Sequence, residues 1–195
     1  MKDIIRDLVA DSLRVKTQFF DANADKLVEV AAVISRNFTN GGKMLLFGNG
    51  GSAADAQHIA TELVGRFVAE RAPLPAMSLS TDTSLLTAVS NDCGFESIFA
   101  RQILALGRAG DTAIAISTSG NSPNVIRGIQ TARSQGLFII GLSGETGGQM
   151  NGMVDVLFCV PSRNTPRIQE AHIMIGHIIC ELVERQMFPD LYPRD

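Results

Sequence analysis

A short apolar run, then a glycine- or serine-rich loop, then a helical stretch: this unit recurs along the chain and leaves few folds open. Lys43 to Phe47 runs into Gly48-Asn49-Gly50-Gly51-Ser52 and a helix over Ala53 to Phe67. Thr112 to Ile116 runs into Ser117-Thr118-Ser119-Gly120-Asn121-Ser122 and a helix reaching Gln135. Pro75 to Leu79, Leu137 to Leu142 and Val154 to Val160 are further apolar runs, with helices predicted near Ser84 to Val89 and Glu96 to Leu106. Strands buried on both faces read as continuous Val, Ile, Leu and Phe rather than as an alternation. Five of them separated by helices predict an α/β fold with one doubly wound, five-stranded parallel sheet.

Helices frame this pattern at both ends. From Ile4 to Phe38 the apolar residues fall at helical spacing, and two helices are expected, broken near Asp21 to Asn23. This arm, residues 1–40, precedes any strand and so packs outside the sheet or against another subunit, while 41–195 forms the α/β core of a single domain. Asn40-Gly41-Gly42 suits the helix exit. Pro166 to Gln186 is expected to be a long closing helix. Between Ala171 and Val183 its apolar residues fall on every face, and such a helix must be covered on every face. In 195 residues, oligomerisation is the easiest cover, although a central core helix in a monomer also satisfies the pattern.

Composition narrows the function. Hydrophobic residues make up 45% and charged residues 19%, enough for a real core, and the net charge of −3 carries no block of like charges. Neither nucleic acid nor an anionic membrane is an expected partner. No run approaches the length of a membrane span, and acidic residues interrupt the N-terminus where a signal peptide needs an apolar stretch. Cys93, Cys159 and Cys180 lack C-x-x-C spacing and read as thiols in a reducing compartment, so a cytoplasmic protein is expected.

Ligands of open parallel sheets sit beyond the carboxyl ends of the strands. Two loops have that location. Gly48 to Ser52 offers close backbone approach and a hydroxyl. Ser117, Thr118, Ser119 and Ser122 offer four hydroxyls within six residues. Helix N-termini add partial positive charge, so a phosphate can be held without Lys or Arg. The same residue types also make plain turns and N-caps. Gly48-x-Gly50-x-x-Ala53 matches a dinucleotide fingerprint formally, but the acid at the required spacing, Glu70, precedes the second strand instead of ending it, and Asp82 comes too late. Gly41-Gly42-Lys43 precedes its strand and is no nucleotide P-loop. A sugar phosphate bound without a nucleotide fits better.

The segments GNGGSAADAQH, AVSNDCGF, ISTSGNSPNVI and RIQEAHIMIGH, in this order, resemble the sugar-isomerase (SIS) domain, a flavodoxin-like fold, and its phosphoheptose isomerase branch most of all. The resemblance covers essentially the whole chain. It implies conversion of sedoheptulose 7-phosphate into D-glycero-D-manno-heptose 7-phosphate, the first step of ADP-heptose supply for the lipopolysaccharide core. It also implies a homotetramer with active sites at subunit interfaces and one Zn2+ per subunit. Carried over by position, Ser52, Ser117, Thr118, Ser119 and Ser122 bind phosphate, and Asn49, Gly50, Gly51, Asn91 and Asp92 line the sugar. His58, Glu62, Gln169 and His177 match the metal ligands, Glu62 and Gln169 also meet substrate, and Glu62 and His177 match the catalytic pair. None of these positions is altered, and the visible variation is the short loop from Pro161 to Pro166. A similar paralogue is a tetrameric partner of the bacterial replication initiator, but its positions matching Glu62 and His177 are not an acid and a histidine. Other SIS isomerases or sensors would share the phosphate loops without the Gln169 and His177 pattern.

The residues bear on this chemistry directly. Moving a proton between adjacent carbons needs a base, an acid for the oxygens and stabilisation of the oxyanion. His58 and Glu62, four apart, share a helix face, although such a pair often does no more than support its helix. Gln169 and His177 are separated by roughly 12 Å along a helix axis and about 80° around it. They either lean toward one ion, come from different subunits, or serve mainly the sugar. His172, about 140° from His177, is expected to stay out of the site.

Overall fold

The structure, a computed structural model, describes residues 1–192. Its elements run α1 (Lys2–Thr39), β1 (Met44–Gly48), α2 (Gly51–Val64), β2 (Ala76–Ser78), α3 (Thr83–Cys93), α4 (Ile98–Leu106), β3 (Thr112–Ile116), α5 (Pro123–Ser134), β4 (Phe138–Ser143), β5 (Val156–Cys159) and α6 (Thr165–Met187). Short 3-10 turns lie at Phe95–Ser97, Gly148–Met150 and Pro189–Leu191. All strand pairs are parallel, in the order β2-β1-β3-β4-β5. The expected doubly wound sheet is present, with each strand within two residues of its predicted bounds.

The strands alternate between two cores. Met44, Leu46, Ile114, Ile116, Ile140 and Leu142 face the side covered by α1, α2 and α6. Leu45, Phe47, Ala113, Ala115 and Ile139 face the side covered by α4 and α5, with Leu86 and Val89 of α3 packed alongside. Both faces are therefore dry, and this is why the strand sequences show no polar alternation.

The arm departs from expectation. α1 is one helix of 38 residues, not two. Asp21 and Asn23 are weak helix formers, each less favourable than Ala by under about 0.7 kcal/mol. No glycine or proline lies between Lys2 and Thr39 to enforce a break. Asn23 stands in line with the buried stripe Val15, Phe19, Leu27, Ala31 and Ile34, and its Nδ2 donates to the Phe19 carbonyl at 2.8 Å. Burial of that stripe outweighs the local preference. The helix does exit at Asn40, as expected.

The first nine residues of α1, Lys2 to Ala10, are all exposed. Ser12 Oγ donates to Glu170 Oε2 at 2.6 Å, and Arg167 Nη1 donates to the Leu8 carbonyl at 2.5 Å, pinning the arm to α6. α6 itself is buried along Ile168, Ala171, His172, Ile175, Ile179 and Val183. Its other face is only partly covered within one chain, with Met174 at 40% exposure.

Candidate active site

The order of winding reverses between β1 and β3, which places their carboxyl ends side by side. Gly48 pairs with Ile116, so the glycine loop and the serine loop leave the sheet as neighbours. Two amides tie them together: Asn49 Nδ2 donates to Asn124 Oδ1, and Asn124 Nδ2 returns a bond to Asn49 Oδ1, each at 2.8 Å. Asn124 is buried and also accepts the Val125 N–H, which fixes its orientation. It was not singled out from sequence, where an Asn after Ser-Pro reads as ordinary helix-start chemistry.

Serines 52 and 117 are buried at these strand ends, whereas Ser119 is exposed. Ser122 occupies the N-cap of α5, yet its side chain makes no capping bond and lies 3.0 Å from Ser117 Oγ. Asp82, by contrast, caps α3 by accepting the Leu85 N–H at 2.9 Å. The Ser122 hydroxyl is thus turned toward the serine loop and not spent on its helix. Thr118 and Ser119 open onto a cavity of about 290 Å3 whose rim carries the Arg163–Glu145 ion pair at 2.6 Å. Asn49, Ser122 and Asn124 line a second one of about 450 Å3, shared with Gly94, Phe95 and Glu96.

The second cluster lies on α2 and α6, which run side by side. Gly176 makes the close approach possible, since a Cβ there would stand 2.5 Å from Ile59 Cδ1. This brings His177 Nε2 to 3.0 Å from His58 Nε2, and Glu62 Oε1 lies 3.0 Å from the same His58 nitrogen. The three ligand atoms all fall within 4.8 Å of one another. Phe67 sets its ring 5.6 Å from that of His177.

Two imidazole nitrogens and a carboxylate oxygen form the donor set that suits zinc. Ligands about 2 Å from one tetrahedral ion are separated by roughly 3.3 Å, close to the 3.0 Å spacings seen. The residues fit such an ion. Gln169 is placed differently, with its amide against Gly51 at the start of α2. Its distance from His177 along α6 therefore matches the distance from Gly51 to His58 along α2. The pairing of His58, Glu62 and His177 comes from one chain, and Gln169 sits at the glycine-loop end of the same groove.

Asn91 and Asp92 are exposed on the last turn of α3 and hydrogen-bonded to each other at 2.8 Å, just before the Gly94 and Phe95 rim. His172 stays out of the site, as expected. It is fully buried, with Nε2 3.1 Å from the Ser143 carbonyl, and burial pushes its pKa down to about 4. Asp55, one turn before His58, went unnoticed in the sequence. Burial pushes its carboxyl up to about 6, against the pull of His58, and its Oδ2 is buried without a partner.

Comparison with known proteins agrees with this geometry. The SIS domain family model matches residues 8–144. The phosphoheptose isomerase of Aquifex aeolicus is 52% identical over 187 residues, covering 96% of this chain and 98% of its own. That of Thermodesulfovibrio yellowstonii is 51% identical over 188 residues, covering 96% and 94%. The solved structure of the Neisseria gonorrhoeae phosphoheptose isomerase superposes with a TM-score of 0.88 at 42% identity, over 94% of this chain and 98% of that one. That of the Francisella tularensis enzyme gives 0.91 at 36% identity, over 94% and 97%. On sequence and fold, this chain belongs to the SIS domain family, among the phosphoheptose isomerases.

Proposed function

We propose that the protein isomerises sedoheptulose 7-phosphate to D-glycero-D-manno-heptose 7-phosphate, with Glu62 and His177 moving the protons. The observation that carries this is the placement of a carboxylate and two imidazoles on α2 and α6, a fixed distance from the glycine loop and the hydroxyl-rich serine loop. Ser52 to His58 is six residues of helix, about 9 Å along its axis. A seven-carbon sugar phosphate has its phosphorus and its reacting carbons at opposite ends. At about 1.2 Å of advance per bond, a third of an extended residue, they are roughly 8–10 Å apart. With the phosphate at the loops, carbons 1 and 2 reach the His58, Glu62 and His177 cluster.

In this reading Ser52, Ser117, Thr118, Ser119 and Ser122 hold the phosphate, and Asn49, Gly50, Gly51, Asn91, Asp92 and Gln169 line the sugar. Glu62 takes the proton from the carbon beside the carbonyl and returns it to the neighbouring carbon. His177 gives a proton to the carbonyl oxygen and recovers one from the adjacent hydroxyl, so that an enediol forms and collapses with no net change in atoms. Zinc held by His58, Glu62 and His177, which Gln169 could join only from a neighbouring subunit, would supply a Lewis acid that polarises the oxygens. Asn124 orients Asn49, and the Phe67 ring, tilted beside His177, restrains that imidazole. The product feeds heptose supply for the lipopolysaccharide core, in the cytoplasm. The working form is a homotetramer with active sites at subunit interfaces, supported by the exposed apolar start of α1 and by an α3 of which no residue is fully buried.

Turnover of sedoheptulose 7-phosphate, followed by NMR, tests the assignment. Glu62→Gln and His177→Ala are each expected to lower kcat by about 10²–10⁴-fold. The double variant should be little worse, since the groups act as a unit. Zinc content is measured on each variant and the assay repeated with zinc added, to separate metal loss from proton transfer. Wild-type rates in both variants would overturn the catalytic roles.

A further inference from the structure

We propose that the buried Arg71–Glu184 ion pair is a positioning device for the reacting groups, setting Glu62 and His177 relative to each other. The proposal rests on the reading of those two residues as the proton-moving pair.

Glu184, near the end of α6, is fully buried, and the Arg71 side chain is 1% exposed. Their Nε–Oε2 distance is 2.8 Å. Such a pair gains little over apolar side chains of the same volume, because desolvating two ions offsets their attraction. Its hydrogen bonds show what else it does. Glu184 accepts the backbone N–H groups of Phe67, Val68 and Ala69 at 3.3, 3.1 and 2.9 Å, and the Tyr192 hydroxyl. Arg71 reaches the other way. Its Nη2 donates to the Glu62 carbonyl at 2.8 Å, and its Nη1 donates to the Leu63 carbonyl at 2.7 Å and to Ala72.

The Glu62 and Leu63 carbonyls belong to the last turn of α2, where helix carbonyls have no intrahelical partner. A planar guanidinium takes two of them at once while its Nε holds the carboxylate of α6, which a point-charge lysine cannot do. The turn that carries Glu62 is thereby fixed to the helix that carries His177. Phe67 closes the link: its N–H is held by Glu184 and its ring lies 5.6 Å from that of His177, tilted by 38°. Gly176 sets how near the two helices come, and the ion pair sets their register one to two turns further on. The phosphate loops lie at the opposite end of α2, so a slip here would misplace the proton-moving groups without touching the phosphate.

Arg71→Lys, Glu184→Gln and Phe67→Leu test this beside Glu62→Gln, with kcat, KM and the pH profile of kcat measured for sedoheptulose 7-phosphate. Misplacement of about 1 Å can cost 10²-fold. Arg71→Lys and Glu184→Gln are expected to lower kcat by about 10–100-fold and shift its pH profile, with KM changed less than about twofold. Circular dichroism establishes whether each is folded. Should either fail to fold, Phe67→Leu carries the test alone, since it keeps the ion pair and its N–H bond and removes only the ring beside His177. It too must lower kcat at unchanged KM. A folded variant with a lower thermal midpoint, wild-type kcat and an unmoved pH profile would overturn the proposal, leaving the pair a purely structural one. If Glu62→Gln itself turns over normally, the proton-moving reading fails and takes the proposal with it. If Glu62→Gln is inactive while Arg71→Lys and Phe67→Leu are not, only the positioning role falls.

Discussion

Hydroxyls and imidazoles in this protein do different work according to what surrounds them. Ser119 is exposed at the mouth of its cavity, and its Oγ accepts only the Asn121 N–H, at 3.2 Å. Ser119→Ala should therefore leave folding intact and remove a hydrogen bond to a charged phosphate. That bond is worth about 1.5–3 kcal/mol, so KM should rise roughly ten- to a hundredfold. Steady-state kinetics decide it, and an unchanged KM would make the loop a turn only. His172 responds to pH instead. Its folded pKa of about 4 lies below the ordinary 6.5, so the fold favours the neutral ring. The stabilisation is complete above pH 6.5 and is lost as pH falls toward 4, by about 3 kcal/mol. Asp55, raised to about 6, works in the opposite sense between pH 3.8 and 6, because its fold favours the protonated acid. Urea denaturation of wild type and His172→Gln at fixed pH values separates the two. The gap between them should shrink on acidification, and a constant gap would contradict the assignment.

At the scale of elements, the approach of α2 to α6 decides whether there is a site at all. Gly176→Ala would place a methyl group inside the Ile59 side chain. Overpacking of this kind costs about 1–3 kcal/mol, and relief by parting the helices would draw His177 away from His58. The expected outcome is a lower thermal midpoint together with a fall in kcat. Wild-type activity at a lowered midpoint would mean that Ile59 rotates aside and the helices stay in place. α1 teaches the complementary lesson: one apolar stripe carries a helix through Asp21 and Asn23, because Asn23 can satisfy its amide on the Phe19 carbonyl.

For the whole molecule, the uncovered surfaces fall on particular elements. Ile4, Ile5, Leu8, Val9 and Leu13 are each 49–62% exposed on the start of α1, and Phe95 is 59% exposed beside an α3 with no buried residue. Apolar surface gathered in this way is commonly covered by another copy. Size exclusion with light scattering at micromolar concentration is expected to give a tetramer. A monomer would remove the idea of sites shared between subunits. Replacing Leu8 and Leu13 by Asp should weaken the assembly without disturbing the sheet, whose cores they do not touch. Among the described residues no helix is long and apolar enough to cross a membrane.

The sheet, its two glycine and serine loops and the pairing of His58 with Glu62 were legible along the chain, because each depends on neighbours a few residues apart. Strand burial writes itself as continuous apolar runs, and a helix face repeats every three to four residues. Helix geometry even excluded His172 from the site correctly. What the sequence left open were contacts between distant segments. Whether Gln169 and His177 served one ion was undecidable from one helix alone; the parallel lie of α2 and α6 places Gln169 at Gly51 and His177 at His58. Asn124, Asp55, Arg71 and Glu184 carried no local signature, since an Asn, an Asp, an Arg or a Glu on a helix or loop usually faces water. Only the tertiary structure takes them out of water, and there Asn124, Arg71 and Glu184 meet partners that the fold has brought within reach, while Asp55 Oδ2 is left without one.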